Sequence, residues 1–73
     1  MYLVIELQTT GGKTGNFVFA FDDLADAYAK YYDILSAAAK SSVELHTALI
    51  LTADGNIVRS EHFDRREEVA ESE

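Results

Sequence analysis

The first residues of the chain alternate between two sides of an extended segment. From residue 2 to residue 8, the odd positions are Leu3, Ile5 and Leu7, and the even positions begin with Tyr2 and Val4. A period of two with β-branched and aromatic residues predicts a strand. The segment at 16–21, NFVFAF, predicts a second strand, with three phenylalanines on one side. The glycine-rich residues 9–15 predict a hairpin with a loose loop.

After this hairpin the period changes to that of a helix. The apolar residues are spaced four, three, four and three apart, which forms one stripe along a helix at about 22–40. Asp22 or Asp23 can cap its first turn, and the serines at 41 and 42 end the pattern. The residues of the stripe are Leu24, Tyr28, Tyr31, Leu35 and Ala38.

The second half of the chain predicts another hairpin. Residues 43–52 and 57–63 return to period two, and Asp54-Gly55 between them is typical of a two-residue turn. Such a turn places Leu49 opposite Ser60 and Leu51 opposite Val58. The alternative register would place Arg59 and Glu61 behind the helix, which is costly.

These elements predict an α+β fold of order ββαββ. We expect a four-stranded antiparallel sheet in the order 2-1-3-4, with one helix packed on one face. Residues 1–63 form a single domain in this interpretation. Residues 64–73, DRREEVAESE, predict a disordered acidic C-terminal tail.

One helix covers only one face of such a sheet, so the other face needs a cover or stays exposed. If the helix packs on the side of Leu3 and Ile5, the face that it leaves uncovered is apolar, with Ile50 near its centre. Large exposed apolar patches are rare on monomers, which predicts a homodimer or a contact with another protein. The alternative is that these are scattered exposed residues, which are common on antiparallel sheets. The candidate interaction residues are Tyr2, Val4, Val18, Ala48, Ile50, Ile57 and Phe63.

Charge and composition narrow the classes of function. The chain has 73 residues, six Lys and Arg against 13 Asp and Glu, a net charge of −7, and no Cys. It is therefore one domain without disulfides. The acid excess argues against direct binding to nucleic acid, and no apolar run is long enough to span a membrane. An acidic inhibitor that mimics nucleic acid against a host defence enzyme is the alternative function.

Possible catalytic motifs are weak. Gly12-Lys13-Thr14 resembles the end of a phosphate-binding loop, but the earlier glycine is replaced by Leu7 and a strand follows where a helix is needed. His46 and His62 are expected on opposite faces of the sheet, so they do not converge on a metal. We expect no catalytic residue, no cofactor and no metal, and therefore a protein that is not an enzyme.

The segment 29–65 contains four short motifs, LSAAA at 35–39, SV at 42–43, LTADGN at 51–56 and SEHF at 60–63. With these motifs it resembles small phage- and prophage-encoded proteins of Firmicutes, a family with no assigned function. The resemblance implies a phage-associated protein in the cytoplasm of a bacterial host, and it supplies no catalytic residues.

Overall fold

The computed structural model describes residues 1–66 of the chain. Four antiparallel strands form one sheet in the order β2-β1-β3-β4, and one helix separates the two hairpins. The α+β fold, the element order ββαββ and the predicted strand order are confirmed. The elements are β1 (Tyr2–Thr10), β2 (Lys13–Phe21), α1 (Leu24–Ala39), β3 (Leu45–Thr52) and β4 (Ile57–Asp64).

Helix α1 begins at a capped residue and buries one stripe. The Asp23 side chain accepts a hydrogen bond from the Ala25 amide at 3.2 Å, which satisfies a donor that the first turn leaves free. The predicted stripe is confirmed, although its centre is rotated slightly. Leu24, Tyr28 and Leu35 pack at its border and are half-buried. The fully buried residues of the helix are Ala27, Tyr31, Ile34 and Ala38.

The first hairpin is tighter than the sequence analysis predicted. Thr10 pairs with Lys13, so the loop consists of Gly11 and Gly12 alone. Their φ angles are 61° and 80°, the left-handed conformation that a type I′ turn requires at both central positions. The loose loop predicted for residues 9–15 is wrong, because β1 and β2 continue paired up to the turn.

The tight turn decides which residues of β1 and β2 share a face. Val4 lies opposite Phe19 and Tyr2 opposite Phe21, whereas Ile5 lies opposite Val18. Opposite residues of an antiparallel pair project to the same side of the sheet. The three phenylalanines of β2 therefore lie on the side of Tyr2 and Val4, not on the side of Leu3 and Ile5.

Helix α1 packs on the side of the sheet that the sequence analysis predicted to be open. Val4, Ala48 and Ile50 are 0% exposed and form the core together with the buried helix residues. Tyr31, also 0% exposed, belongs to the same cluster as Ala48. Ala48 is the small residue of this cluster on β3, which leaves room for the large tyrosine ring between helix and sheet.

The second hairpin has a longer loop and a compensating bulge. The Gly55 amide donates to the Thr52 carbonyl at 3.0 Å, and the φ of Gly55 is 92°, so the loop is a three-residue type I turn that ends in a left-handed glycine. Leu51 consequently lies opposite Ile57, and the predicted Leu51–Val58 pair is wrong. One extra residue at Val58 restores the register, and the predicted pair of Leu49 with Ser60 is confirmed.

The folded domain extends beyond residue 63. Asp64 pairs with Leu45 at the end of β4, and the Arg65 amide donates to the Glu44 carbonyl at 2.6 Å. The boundary predicted at residue 64 is therefore wrong by at least two residues. The rest of the predicted tail, 67–73, lies outside the described residues.

Candidate interaction surface

One face of the sheet carries no covering element among residues 1–66. We call it the open face. It consists of the odd positions of β1 and β3 and the neighbours that pair with them on β2 and β4. Its apolar residues are Leu3, Ile5, Leu7, Val18, Ala20, Leu45, Leu49, Leu51 and Ile57.

The open face is aliphatic and almost uncharged. The leucines and Ile5 shield one another and are half-exposed, whereas Val18 is 55% and Ile57 is 65% exposed. The polar residues of this face, apart from its corner, are Thr9, Thr14, Asn16, Thr47, Ser60 and His62. A formal carboxylate appears only at its corner, where Asp64 lies opposite Leu45. The face thus has the composition of a protein core, but no element among residues 1–66 packs against it.

The predicted interaction residues divide between the two faces. Val18 and Ile57 lie on the open face, and Ile57 does so because of the bulge at Val58. Val4, Ala48 and Ile50 are corrected to core residues, since the helix buries them completely. Two further residues of the predicted set also lie on the helix side, Tyr2 half-buried against the core and Phe63 at 37% exposure on the edge strand.

The main residues of the open face were predicted from the sequence to form the core. The relative register of β1, β3 and β4 was predicted correctly as far as the pair of Ile50 and Arg59, so these strands kept most of their residues together on one side. Strand β2 was displaced by one position, and Ile57 and Val58 exchanged sides at the bulge. The Gly11-Gly12 pair could have corrected this, because two adjacent glycines between alternating segments indicate a two-residue turn.

The side of the sheet that the helix covers contains a buried polar pair. His46, 3% exposed, approaches Glu6 at 2.6 Å between Nε2 and Oε2. Gln8 donates to the same carboxylate oxygen at 2.8 Å. The contact gives the buried Nε2 of His46 and the Glu6 carboxylate a partner each, whereas Nδ1 of His46 is buried without one among residues 1–66. His46 and His62 project to opposite sides of the sheet, as the sequence predicted.

The helix side also carries a cluster of tyrosines. The rings of Tyr28 and Tyr32 stack with centroids 5.9 Å apart, and Tyr31 meets Tyr32 edge to face at 5.2 Å. Burial raises the pKa of the Tyr31 hydroxyl, an effect that the Arg59 guanidinium partly opposes. This cluster anchors the helix to the sheet, because two of its rings pack in or against the core.

Residues 1–66 present no concave site for chemistry. No pocket opens in their surface, and no three of their His, Asp and Glu side chains lie where they could hold a metal ion. Lys13 and Thr14 lie in strand β2, next to the turn, and not at the start of a helix. Within this part of the chain, no helix has the length and apolarity to cross a membrane.

Comparison with known protein families, with curated proteins and with solved structures found no match to this chain. The resemblance to phage-encoded proteins therefore stays a prediction that rests on the motifs quoted above.

Proposed function

We propose that this chain is a non-enzymatic interaction module that associates with a second copy through the open face. The observation that carries the proposal is the uncharged aliphatic surface centred on Ile5 and Leu49, which face each other on the two central strands. Monomers seldom leave a contiguous apolar patch of this kind in water. A second copy supplies the same kind of surface and so completes the core.

The size of the face agrees with a modest dimer. Four strands about 4.8 Å apart and about 30 Å long cover roughly 570 Å². Two stacked faces bury about 1,100 Å² in total, just above the roughly 1,000 Å² expected of a specific interface. The apolar part, about 350 Å² per chain and so about 700 Å² for the pair, contributes about 18 kcal/mol at 25 cal/mol per Å² before the cost of association removes about half of it. Affinity in the micromolar range is the expected result.

The alternative, an acidic inhibitor that mimics nucleic acid, receives less support. Residues 1–66 hold nine acidic and six basic side chains, a net charge of −3, whereas residues 67–73 carry the remaining four of the 13 acids. A net charge of this size is ordinary for a soluble domain.

The resemblance to phage proteins supports a role in phage-infected bacterial cytoplasm, which the identity of the neighbouring genes would test.

Sedimentation equilibrium of wild type and Leu49→Lys tests the open face. Leu49 lies on a central strand of this face, so a lysine there should abolish the concentration-dependent association that this face mediates. Ala29→Lys is the matched control, because it adds the same charge at an exposed position on the helix, on the other side of the sheet. It should dimerise like wild type.

Salt gives a second criterion. Two chains of −7 repel each other, so the dimer should tighten as salt rises, the reverse of an acidic mimic bound to a basic partner. A wild type that stays monomeric at every concentration and salt would contradict the proposal. So would a Leu49→Lys variant that associates as strongly as wild type.

A further inference from the structure

The two edges of the sheet differ in their protection against pairing with another strand. Edge strand β4 has a bulge at Val58 and charged side chains at Arg59 and Glu61. Edge strand β2 has an unbroken register, and from Thr14 to Phe21 it contains no charge and no proline. Bulges, prolines and charges are the usual means by which natural edge strands avoid pairing. Strand β2 lacks all three over eight residues.

The tight first hairpin determines which backbone groups of β2 point outward. A two-residue turn makes Thr10 and Lys13 a hydrogen-bonded pair, and such pairs then alternate along the strands. The next pair, Thr9 and Thr14, is of the non-hydrogen-bonded kind, which agrees with the 2.8 Å contact between their side-chain hydroxyls. The free amides and carbonyls at the outer edge therefore belong to Thr14, Asn16, Val18 and Ala20.

The side chains in the middle of β2 also lack neighbours on the outer side. Phe17 is 52% exposed on the helix side, and adjacent Val18 is 55% exposed on the open face. One additional strand would supply cross-strand neighbours to both at once. The edge therefore offers unpaired hydrogen-bonding groups together with unshielded apolar side chains.

The charges at the two ends of β2 indicate which strand pairs with its outer edge. Lys13 begins the strand, and Asp22 and Asp23 follow its last residue. An antiparallel second β2 would place the lysine of each copy near the aspartates of the other, twice by symmetry. A parallel arrangement would place like charges side by side, which is unfavourable. The strand is thus complementary to itself in the antiparallel direction.

We infer that β2 pairs with β2 of a second copy about a two-fold axis at Phe17, forming a continuous eight-stranded sheet. In this register Asn16 and Val18 of opposite copies form hydrogen-bonded pairs, and the two Phe17 rings meet across the axis. Aromatic cross-strand pairs are stabilising. The two helices lie about 19 Å apart in this sheet, wider than one helix diameter of about 10 Å, so they do not clash.

This inference goes beyond the proposed function, because the edge and the open face are separate surfaces and each can associate without the other. If both operate, two eight-stranded sheets stack and the chain forms a tetramer with two kinds of two-fold axis. If only one operates, the chain forms a dimer, and the surface responsible is identified by which variant dissociates it.

Single cysteines test the register, since the native chain has no cysteine. Residues of a non-hydrogen-bonded pair have Cα atoms about 4.5 Å apart, within the range of a disulfide. Phe17→Cys should therefore form a disulfide-linked dimer rapidly under mild oxidation. Gly15→Cys is the matched control, because residue 15 is exposed on the same side of β2 and its two copies lie about 13 Å apart along the antiparallel strands. Equal rates of linkage for the two variants would overturn the inference.

A proline at the edge tests the hydrogen bonds. Asn16→Pro removes an outward amide and leaves the β1–β2 ladder intact, as is tolerated on edge strands. It should slow the Phe17→Cys linkage at least about tenfold, equivalent to about 1.4 kcal/mol, whereas the control Asn16→Ala should not. Leu49→Lys should leave this linkage unchanged. The edge contact would be excluded if Asn16→Pro did not slow the Phe17→Cys linkage. It would also be excluded if Asn16→Pro left the mass in solution unchanged while Leu49→Lys made the chain monomeric.

Discussion

The two faces of the sheet are both apolar, but they are apolar in different ways. The face under helix α1 combines the fully buried Val4 and Ile50 with the polar pair Glu6 and His46. The open face has leucines and isoleucines in their place and is almost free of charge. A count of hydrophobic residues does not distinguish the two faces, because the sheet carries nine on each side. The helix covers the face whose shapes and polar groups fit its own side chains.

The comparison shows that a buried face needs complementarity as well as hydrophobicity. Tyr31 of the helix is fully buried in the same cluster as Ala48, and Lys30 lies with its Nζ 4.3 Å from the centroid of the Phe19 ring. Both arrangements depend on the particular side chain that the sheet presents. The open face offers a flat aliphatic surface, which suits another sheet better than a helix rich in tyrosine and alanine.

The largest difference between the faces should appear at the neighbouring residues Ile50 and Leu49. Ile50→Lys puts a charge into the core under the helix and should abolish cooperative unfolding, because the penalty exceeds the stability of a small domain. Leu49→Lys should change the monomer's stability by only about 1 kcal/mol, since the lysine reaches water. Thermal and urea unfolding followed by circular dichroism compare them. The opposite ranking would place the helix on the other face.

The buried polar pair should show the next largest effect. His46→Phe leaves the Glu6 carboxylate with Gln8 as its remaining partner, although the Glu6 side chain is only 16% exposed. We expect a loss of about 3 kcal/mol in the free energy of unfolding. The double variant Glu6→Leu/His46→Phe should recover most of this loss, because no buried charge remains. A double variant no more stable than His46→Phe would show that the pair does not act as a unit.

Arg65 links the C-terminal end of helix α1 to the segment that precedes β3. Its Nη2 donates to the Ala38 carbonyl at 2.7 Å, and its Nη1 donates to the Val43 carbonyl at 3.3 Å. Carbonyls at a helix end lack partners within the helix, so Arg65→Ala should cost about 1–2 kcal/mol in urea unfolding. Arg66→Ala is the control and should have little effect. Equal stability of both variants would contradict the anchoring role.

The smallest effect is expected at Asp64, at the corner of the open face. Hydrogen bonds from Arg66 to both carboxylate oxygens lower the pKa of Asp64 to about 2. Because the pKa is lowered in the folded state, this contact stabilises the fold at pH values above the usual pKa of an aspartate. The stabilisation is lost as the pH falls through about 2. Carboxyl NMR titration should show the low pKa, and Arg66→Gln should bring it back towards the ordinary value. An unchanged titration would exclude the contact.

The elements themselves could be predicted because their causes are local. Alternation, the Asp23 cap and the period of the helix each depend on residues within a few positions of one another. The face of β2 was misplaced, because a loose loop at 9–15 was assumed where the Gly11-Gly12 pair indicates a two-residue turn. One residue of error in the turn moves every side chain of that strand to the other face. The candidate surface was therefore predicted to exist, but with most of its residues on the wrong side.

By itself, the sequence determined the four strands, the helix, their order in the sheet and the presence of two apolar faces, because these follow from periodicity and from chain connectivity. Only the tertiary structure decided which face the helix covers, that Val58 is a bulge, and that Arg65 returns to Ala38. Those features depend on the fit of side chains distant in sequence. Both faces satisfy the same hydrophobic pattern, so only packing in three dimensions distinguishes the core from the surface left for a partner.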